Sequence, residues 1–392
     1  MKKSFTLLTF LLCSLTSWAQ IPAGYYNTAI GTGYTLKTQL KNIIDNNTNS
    51  SGTANYGGLW TLFTNSAFRD NYYENDGSLL DIYSEVPNTS GNTTFNDSYS
   101  FTTTSEECGS STPSVEGVCY NREHTVPQSV WGSGTYPMYS DAHFVIPSDN
   151  RVNGWRDNYP YGKVVTNTAI AATNSSVLNA NIVPVFTTNQ SRIGQNTNTN
   201  YTAGYSGVVF EPIDEFKGDI ARALLYFATR YENEIPGWSY VMFNGTSNQV
   251  FTNTFLNIMI KWHLLDAVSP YEISKNNAIY VFQGNRNPYI DHPEYVCQIW
   301  TTQCTTLSNN SFKLENSVSI YPNPVSNNEV FISTLSELKS IVLYNINGQI
   351  IQEIKNPTKI NEAYKVSNLP KGFYLIQLAS ENESITRKIM VD

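Results

Sequence analysis

The chain has 392 residues, which is long enough for two domains with a sizeable core in at least one of them. Charged residues make up only 14% of it, aromatic residues make up 13%, and the formal net charge is -8. This polar but weakly charged composition is more typical of an exported protein than of a cytosolic one. The acidic balance excludes binding of an anionic partner through a general positive field, so any such contact must use a local basic patch or a bound metal.

The N-terminus has the pattern of a cleaved signal peptide. Two lysines precede an apolar run over residues 5–15, and Ser17 and Ala19 supply small residues at the spacing that a signal peptidase reads. The run is too short to span a bilayer. We therefore predict a signal peptide over residues 1–19, no membrane-spanning segment and an exported mature chain. Lipoprotein processing at Cys13 is the alternative, and its leucine neighbour disfavours it.

Four cysteines follow the signal peptide and permit three pairings. Closeness in sequence favours Cys108 with Cys119 and Cys297 with Cys304, each closing a short loop worth roughly 2–3 kcal/mol. A zinc site is the alternative, but it needs tight Cys-x-x-Cys pairs or nearby histidines. Disulfides suit an exported chain better.

Hydrophobic periodicity predicts an α-rich domain with few strands over residues 20–304. Two segments rich in polar and loop-forming residues, 85–118 and 187–205, are predicted to be loops. Apolar residues recur at helical spacing in five segments, which are residues 34–45, 59–68, 214–231, 253–268 and 271–282.

The character of the chain changes after a polar linker over residues 305–316. The remaining residues, 317–392, alternate in short β-like runs separated by turn signals such as Asn347-Gly348, which is a strong hairpin mark. This pattern predicts a small all-β sandwich of the immunoglobulin-like type. The runs are residues 318–321, 330–333, 340–346, 349–354, 372–379 and 385–391.

Glu123 and His124 are the first residues that suggest chemistry. Hydrolysis of a phosphodiester needs a base that takes a proton from water and a cation that absorbs charge on the phosphate. An imidazole can be the base, and Mg²⁺ prefers oxygen ligands such as the carboxylate of Glu123 and the amide of Asn153. Because neighbours on a strand point to opposite faces, the pair can share a site only where the strand bends or ends, as Pro127 suggests.

A second strand and a helix are predicted just after this pair. Residues 141–147 have the pattern of a strand, and Ser148 is predicted to cap a short helix that runs through Asn153 and Arg156. Two strands and a helix would bring a histidine on a strand and an asparagine on a helix together around one ion.

At this point the chain resembles the bacterial endonuclease I family. The resemblance covers most of residues 25–302, and it implies a ββα-metal site within a helix-rich α+β domain that cleaves DNA, and often RNA, with little sequence preference. The matching segments are NREHTVPQSVWG (121–132), SDAHFVIPSDNRVNGWRDNYPYG (140–162), GDIARALLYFATRY (218–231) and IKWHLLDAVSPYEISKNNAIYVFQGNRNPYIDHPEYVCQIW (260–300).

The resemblance also implies roles for individual residues. Glu123 and Asn153 would hold Mg²⁺, with Mn²⁺ or Ca²⁺ as alternatives, and His124 would activate the attacking water. A water on the ion would protonate the departing 3′ oxygen and leave a 5′-phosphate. Arg156 is the first candidate for a catalytic contact with the phosphate, and Arg122 is the second.

One position departs from the family pattern. Some members place an acidic residue just before the Ser-Asp pair, where this chain has Tyr139. The surroundings of the metal are therefore expected to differ from those in such members.

The tail resembles the C-terminal sorting domain of the type IX secretion system. The resemblance rests on YPNPVSNNEVFIS, LYNINGQII, LPKGFYLIQL and the terminal ITRKIMVD. It implies that the type IX machinery is a partner and that the chain passes through the periplasm of a Gram-negative bacterium to the exterior or the cell surface. An ordinary β-sandwich used for adhesion or spacing is the alternative.

Together these features favour a secreted, non-specific, metal-dependent endonuclease acting on DNA, with RNA as a second candidate substrate. Two alternatives remain open from the sequence. One is an extracellular phosphodiesterase that acts on another phosphoester, such as a cyclic dinucleotide. The other is a non-catalytic surface protein on a nuclease scaffold.

Overall fold

The computed structural model describes most of the chain in two compact units, residues 1–304 and 305–392. The predicted signal peptide, residues 1–19, lies outside the described residues. No helix in the described part of the chain is both long and apolar enough to cross a membrane. The described residues are 21–49, 54–73, 75–85, 101, 106–165, 191–309, 318–325, 328–334, 337–345, 347–359, 363–380 and 384–391.

Helices dominate the first unit, as the hydrophobic periodicity predicts. The longest central helix is buried along almost its whole length, because apolar side chains cover most of its circumference. The helices are α1 (Gly33–Asn47), α2 (Gly58–Phe63), α3 (Asn150–Arg156), α4 (Lys217–Arg230), α5 (Asn253–Leu265), α6 (Pro270–Gln283), α7 (Pro288–Asp291), α8 (Glu294–Ile299) and α9 (Thr301–Asn309).

The described part of this mixed helix and sheet unit also contains two short antiparallel strand pairs. The first pairs β1 (Tyr120–His124) with β2 (Val145–Asp149), so that His124 lies opposite Val145. The second pairs β3 (Arg192–Gln195) with β4 (Val208–Glu211). Helix α3 starts directly after β2. The order β1, β2, α3 therefore places Glu123 and His124 next to the helix that carries Asn153.

Two details of this ββα segment differ from the prediction. Strand β2 starts at Val145 rather than at residue 141, because residues 141–144 form a turn. Asp149, not Ser148, caps α3, since its carboxylate accepts hydrogen bonds from the backbone N–H groups of residues 151 and 152 at 2.8 and 3.0 Å. Ser148 is fully buried in β2. The sequence offers two adjacent cap residues, and only the position of the strand end decides between them.

Two predicted segments are also corrected by the structure. Residues 192–195, expected in a loop, form β3 because Ile193 is buried and the backbone pairs with β4. The helix predicted over residues 59–68 is broken: α2 ends at Phe63, and residues 66–68 form a separate 3₁₀ turn. Asn65 breaks it by accepting a hydrogen bond from the N–H of Ala67 with its side chain.

Both predicted disulfides form. Cys108 pairs with Cys119 and Cys297 pairs with Cys304. The first closes the segment that leads into β1, and its backbone continues the pairing, since the N–H of Cys108 donates to the carbonyl of Tyr120 at 2.9 Å. The disulfide therefore anchors the start of the strand that carries Glu123 and His124.

A buried carboxylate ties the ββα segment to the helical core. Asp141, in the turn before β2, is 2% exposed and pairs with Arg230 of α4. It also accepts hydrogen bonds from Tyr231 at 2.7 Å and from Gln283 of α6 at 2.8 Å. Because three separate donors converge on it, Asp141 fixes the hairpin against α4 and α6.

The second unit contains seven described strands in two sheets. The strands are β5 (Ser319–Tyr321), β6 (Val330–Ser333), β7 (Ser340–Asn345), β8 (Ile350–Lys355), β9 (Ala363–Val366), β10 (Gly372–Ala379) and β11 (Ser384–Val391). One sheet has the order β11, β10, β7, β8 and the other has the order β5, β6, β9. Apolar side chains from both sheets form one core. The strand β9 was not predicted from the sequence.

Residues 305–309, predicted as the start of a linker over residues 305–316, belong to helix α9. Helix α9 runs through residue 309, and residues 310–317 lie outside the described part of the chain. The polar composition of residues 305–309 gave no helical pattern in the sequence. The Cys297–Cys304 disulfide holds the first turn of this helix.

The role of Asp141 predicts a large loss of stability in Asp141→Asn. The substitution keeps the shape but removes the buried anionic partner of Arg230 and leaves only the longer, partly exposed contact with Asp45 at 3.7 Å among the described residues. Breaking a buried pair typically costs about 3–5 kcal/mol. Urea unfolding of the variant beside the exposed control Glu234→Gln, expected to change stability by no more than about 0.5 kcal/mol, measures this. Equal stabilities would show that Asp141 does not anchor the hairpin.

Candidate active site

One cleft of about 510 Å³ opens beside β1 and α3. All five residues singled out from the sequence line it, together with a glutamine that follows Pro127. They are Arg122, Glu123, His124, Asn153, Arg156 and Gln128.

The end of β1 explains how Glu123 and His124 reach the same cleft. His124 is the last residue of the strand, and the alternation of side chains sends the two neighbours to opposite faces. Glu123 contacts Tyr83 and Arg156, whereas the ring of His124 lies against Tyr139 and Tyr56. The two faces meet at the strand end, where both side chains border the cleft.

Glu123 is a carboxylate with almost no access to bulk water. It is 3% exposed, and its Oε1 accepts a hydrogen bond from the Tyr83 hydroxyl at 3.0 Å and pairs with Arg156 at 2.9 Å. Burial raises the pKa of Glu123 to about 7, although Arg156 and Tyr83 act in the opposite direction. A cation that reaches this carboxylate would therefore bind its charged form and displace the proton.

The hydrogen bonds of His124 assign its tautomer. Nε2 lies 3.1 Å from the carbonyl oxygen of Tyr139, which can only accept, so Nε2 carries the proton. Nδ1 is then the basic nitrogen, and it accepts a hydrogen bond from the Gln128 amide at 3.2 Å. Burial lowers the pKa of His124 to about 4, with nearby Arg122 and Arg156 acting in the same direction. The imidazole is therefore neutral near pH 7 and able to accept a proton through Nδ1.

Arg156 borders the cleft, but its contacts differ from those predicted for a phosphate ligand. Its side chain is 1% exposed. Besides pairing with Glu123, it donates from Nη1 to the carbonyl of His124 at 2.9 Å and from Nη2 to that of Thr125 at 2.6 Å. The family spacing gives the position of this arginine but not its direction. In the structure its guanidinium holds the end of β1 and the carboxylate of Glu123.

Arg122, the second predicted phosphate contact, is held in a column of aromatic rings. Its Cζ lies 3.5 Å from the ring centre of Tyr56 and 4.1 Å from that of Trp60. Tyr56 in turn stacks on Tyr139, with 3.8 Å between ring centres. Nη1 of Arg122 donates to the carbonyl of Tyr56 at 2.8 Å. Tyr139, which replaces the acidic residue of some family members, is thus part of the support for Arg122.

The residues of the cleft fit a hard divalent cation. Asn153 lies on α3, and its carboxamide has no hydrogen-bond partner among the described residues. Glu123 and Asn153 offer one carboxylate and one amide oxygen, the ligand types that Mg²⁺ prefers while keeping several waters. No cluster of three or more His, Cys, Asp or Glu side chains suited to a metal occurs in the described part of the chain. A ligand set of one carboxylate and one amide does not depend on such a cluster.

Sequence reasoning missed several residues that shape this site. Tyr83 contacts Glu123 and also shares a short hydrogen bond with Tyr161. Tyr83 lies 40 residues before Glu123, in a segment with no recognisable pattern, so no signal in the sequence identifies it. Gln128 was detectable, because it follows Pro127 within the matched block.

A buried carboxylate and a neutral imidazole thus lie at the end of a hairpin, with an amide on the following helix, beside one cleft. Residues 32–294 match the model of the endonuclease I family, and residues 319–392 match that of the secretion system C-terminal sorting domain. The chain therefore belongs to the endonuclease I family. Its all-β unit is a secretion sorting domain.

Two curated proteins show similarity to part of the chain. The extracellular ribonuclease of Bacillus amyloliquefaciens is 32% identical over 186 residues, which are 46% of this chain and 54% of that protein. The extracellular ribonuclease of Bacillus subtilis (strain 168) is 31% identical over the same length and with the same coverage. The chain thus spans about half the length of the curated relatives it matches.

A solved structure is also similar over a short stretch. It is that of PorZ, a surface component of the type IX secretion system of Porphyromonas gingivalis. The match has 15% sequence identity and a TM-score of 0.17, and it covers 21% of this chain and 12% of PorZ. A TM-score this low carries no argument about fold.

The ion pair of Glu123 and Arg156 predicts strong energetic coupling between the two side chains. In metal-free protein, Arg156→Gln should cost about 3–5 kcal/mol, because it leaves a buried carboxylate without its cation. Glu123→Gln in the same background should remove at least about 1 kcal/mol of that loss. Urea unfolding of wild type, both single variants and the double variant measures the coupling. Effects that add within about 0.5 kcal/mol would contradict the pairing.

Proposed function

We propose that the chain is a secreted, metal-dependent endonuclease that hydrolyses phosphodiester bonds of DNA and RNA. The observation that carries the proposal is the convergence of Glu123, His124 and Asn153 on one cleft of a chain in the endonuclease I family. A base, two oxygen ligands and space for a phosphate are the minimum for this reaction.

His124 is the general base in this proposal. Its Nε2 proton is held by the Tyr139 carbonyl, so Nδ1 takes the proton of the attacking water. Gln128, which donates to Nδ1 in the structure, keeps this nitrogen facing the cleft until the water takes its place. The water oxygen forms a bond to phosphorus, and the bond to the 3′ oxygen breaks. The products are a 5′-phosphate and a 3′ hydroxyl, which takes its proton from solvent.

Glu123 and Asn153 would hold the divalent cation. When bound, Mg²⁺ supplies positive charge that stabilises the negative charge developing on the phosphate, and Mn²⁺ or Ca²⁺ are alternatives. Arg156 and Tyr83 keep the Glu123 carboxylate in place, so we assign Arg156 a positioning role. Arg122, fixed between Tyr56 and Trp60, is the side chain that contacts the phosphate.

The substrate assignment combines the site with the relatives. The two Bacillus relatives are named extracellular ribonucleases, which supports RNA as a substrate. Membership of the endonuclease I family supports DNA as the other substrate and cleavage with little sequence preference.

We also propose that the C-terminal unit directs export. Seven described strands in sheets of four and three around one core support an immunoglobulin-like sandwich. The match to a secretion sorting domain supports recognition by the type IX machinery of a Gram-negative bacterium, after passage through the periplasm. The enzyme would then act outside the cell or on its surface.

Replacing the base tests the proposal directly. The mature chain should degrade plasmid DNA and RNA with Mg²⁺, and EDTA should abolish the activity. His124→Ala should lower kcat about 10²–10⁴-fold while the fold is kept. His292→Ala is the matched control, because His292 is partly exposed and lies outside the cleft. Initial rates on both substrates, with circular dichroism as the check of folding, measure the effect.

Each alternative has its own outcome in this assay. A wild-type chain that leaves DNA and RNA intact but hydrolyses a cyclic dinucleotide would favour the phosphodiesterase. A chain that hydrolyses none of these substrates would be a non-catalytic surface protein. Wild-type rates in His124→Ala would remove His124 as the base.

A further inference from the structure

The cleft contains an arginine for which the reaction has no use. Among the described residues that line the cleft, three are arginines, Arg122, Arg151 and Arg156, and two are acidic, Glu123 and Asp157. Arg156 is neutralised by its pair with Glu123. In the described part of the chain, neither Arg122 nor Arg151 has a carboxylate within ion-pair distance. Two positive charges therefore face the cleft of a protein whose net charge is -8.

Arg151 is supported in the same manner as Arg122. Its Cζ lies 4.7 Å from the ring centre of Trp155, one turn further along α3. A guanidinium whose face rests on an aromatic ring keeps its N–H groups in the plane, pointing away from the ring. The Nε atoms of Arg122 and Arg151 are both buried and have no hydrogen-bond partner among the described residues. Both side chains are half-buried, so an anion in the cleft would meet their terminal nitrogens and not the buried Nε atoms. The aromatic ring beneath each guanidinium fixes its position.

The two arginines come from different walls of the cleft. Arg122 precedes Glu123 on β1, and Arg151 precedes Asn153 by two residues on α3. A hydrogen bond of 3.1 Å between the side chains of Asn121 and Asn150 joins the two walls. The reacting residues therefore lie beside both arginines. Contact with the scissile phosphate alone would need only one of the two arginines.

We propose that Arg151 binds a backbone phosphate next to the one that is cleaved, so that the cleft accepts a polynucleotide chain rather than a small phosphodiester. The inference rests on the proposed function and deepens it. A polynucleotide carries a phosphate next to the scissile one, and Arg151 can bind this second negative charge. A diester with one phosphate offers no such second charge. Arg151 holds the strand in register, and Arg122 contacts the scissile phosphate.

Binding without cleavage tests this role. A labelled single-stranded oligodeoxynucleotide is titrated in EDTA, and its anisotropy is measured across salt concentrations. Arg151→Gln should bind at least about tenfold more weakly than wild type, because a hydrogen-bonded charge contact is lost. It should also reduce the slope of log K against log salt by about 0.7, the value for one phosphate of a single strand. Arg151→Lys should keep the slope, since the charge remains.

Arg192→Gln is the matched control. It removes the same charge from β3, outside the cleft, and should leave affinity and slope unchanged. Equal behaviour of Arg151→Gln and Arg192→Gln would overturn the proposal, as would a wild-type chain that does not bind the oligonucleotide in EDTA. Arg151→Lys guards against misfolding, because a purely structural role would not make the salt slope follow the charge.

Cleavage separates this inference from the proposed function. With Mg²⁺, the preference of wild type for a long oligonucleotide over a dinucleotide with one phosphodiester should fall at least about tenfold in Arg151→Gln. A chain that binds through Arg151 but never cleaves would refute the proposed function alone. If wild type and Arg151→Gln both cleave with the same preference for the long oligonucleotide, the role of Arg151 alone is refuted.

Discussion

The site depends on a carboxylate buried beside a guanidinium. Glu123 has almost no contact with solvent, and Arg156 supplies the positive charge that keeps this burial tolerable. The same guanidinium binds the carbonyls of residues 124 and 125, so the ion pair also fixes the end of β1. One side chain, Arg156, therefore sets the positions of both the proposed base, His124, and the proposed metal ligand, Glu123. A substitution of Arg156 would therefore displace His124 and Glu123 together.

The electrostatics of the cleft show how an acidic protein can accept an anionic substrate. The positive charge that would attract an anion is local to the cleft. Arg156 is paired with Glu123, whereas Arg122 and Arg151 pack on aromatic rings at the walls of the cleft. Aromatic support fixes a guanidinium without using a carboxylate, which would cancel its charge. This arrangement gives positive donors at defined positions while the remaining surface stays polar and weakly charged, as suits an exported chain.

Local patterns predicted most of the helices and strands and the residues that meet at the cleft. The Glu-His pair followed by Pro127, and the helix carrying Asn153, were predictable because their spacing is local, and the two disulfides because each joins near neighbours. Features that depend on distant segments were not predictable. The contact of Tyr83 with Glu123, the pairing of β3 with β4 and the inward direction of Arg156 all arise from tertiary packing.

Binding of Mn²⁺ to the metal-free chain, followed by electron paramagnetic resonance, tests the central claim most directly. One ion should bind per chain, more weakly in Glu123→Gln and in Asn153→Ala than in wild type. Because burial raises the pKa of Glu123 to about 7, the wild-type affinity should fall as the pH drops below neutral and the carboxylate takes up a proton. An affinity that is the same in Glu123→Gln and does not change with pH would contradict the account.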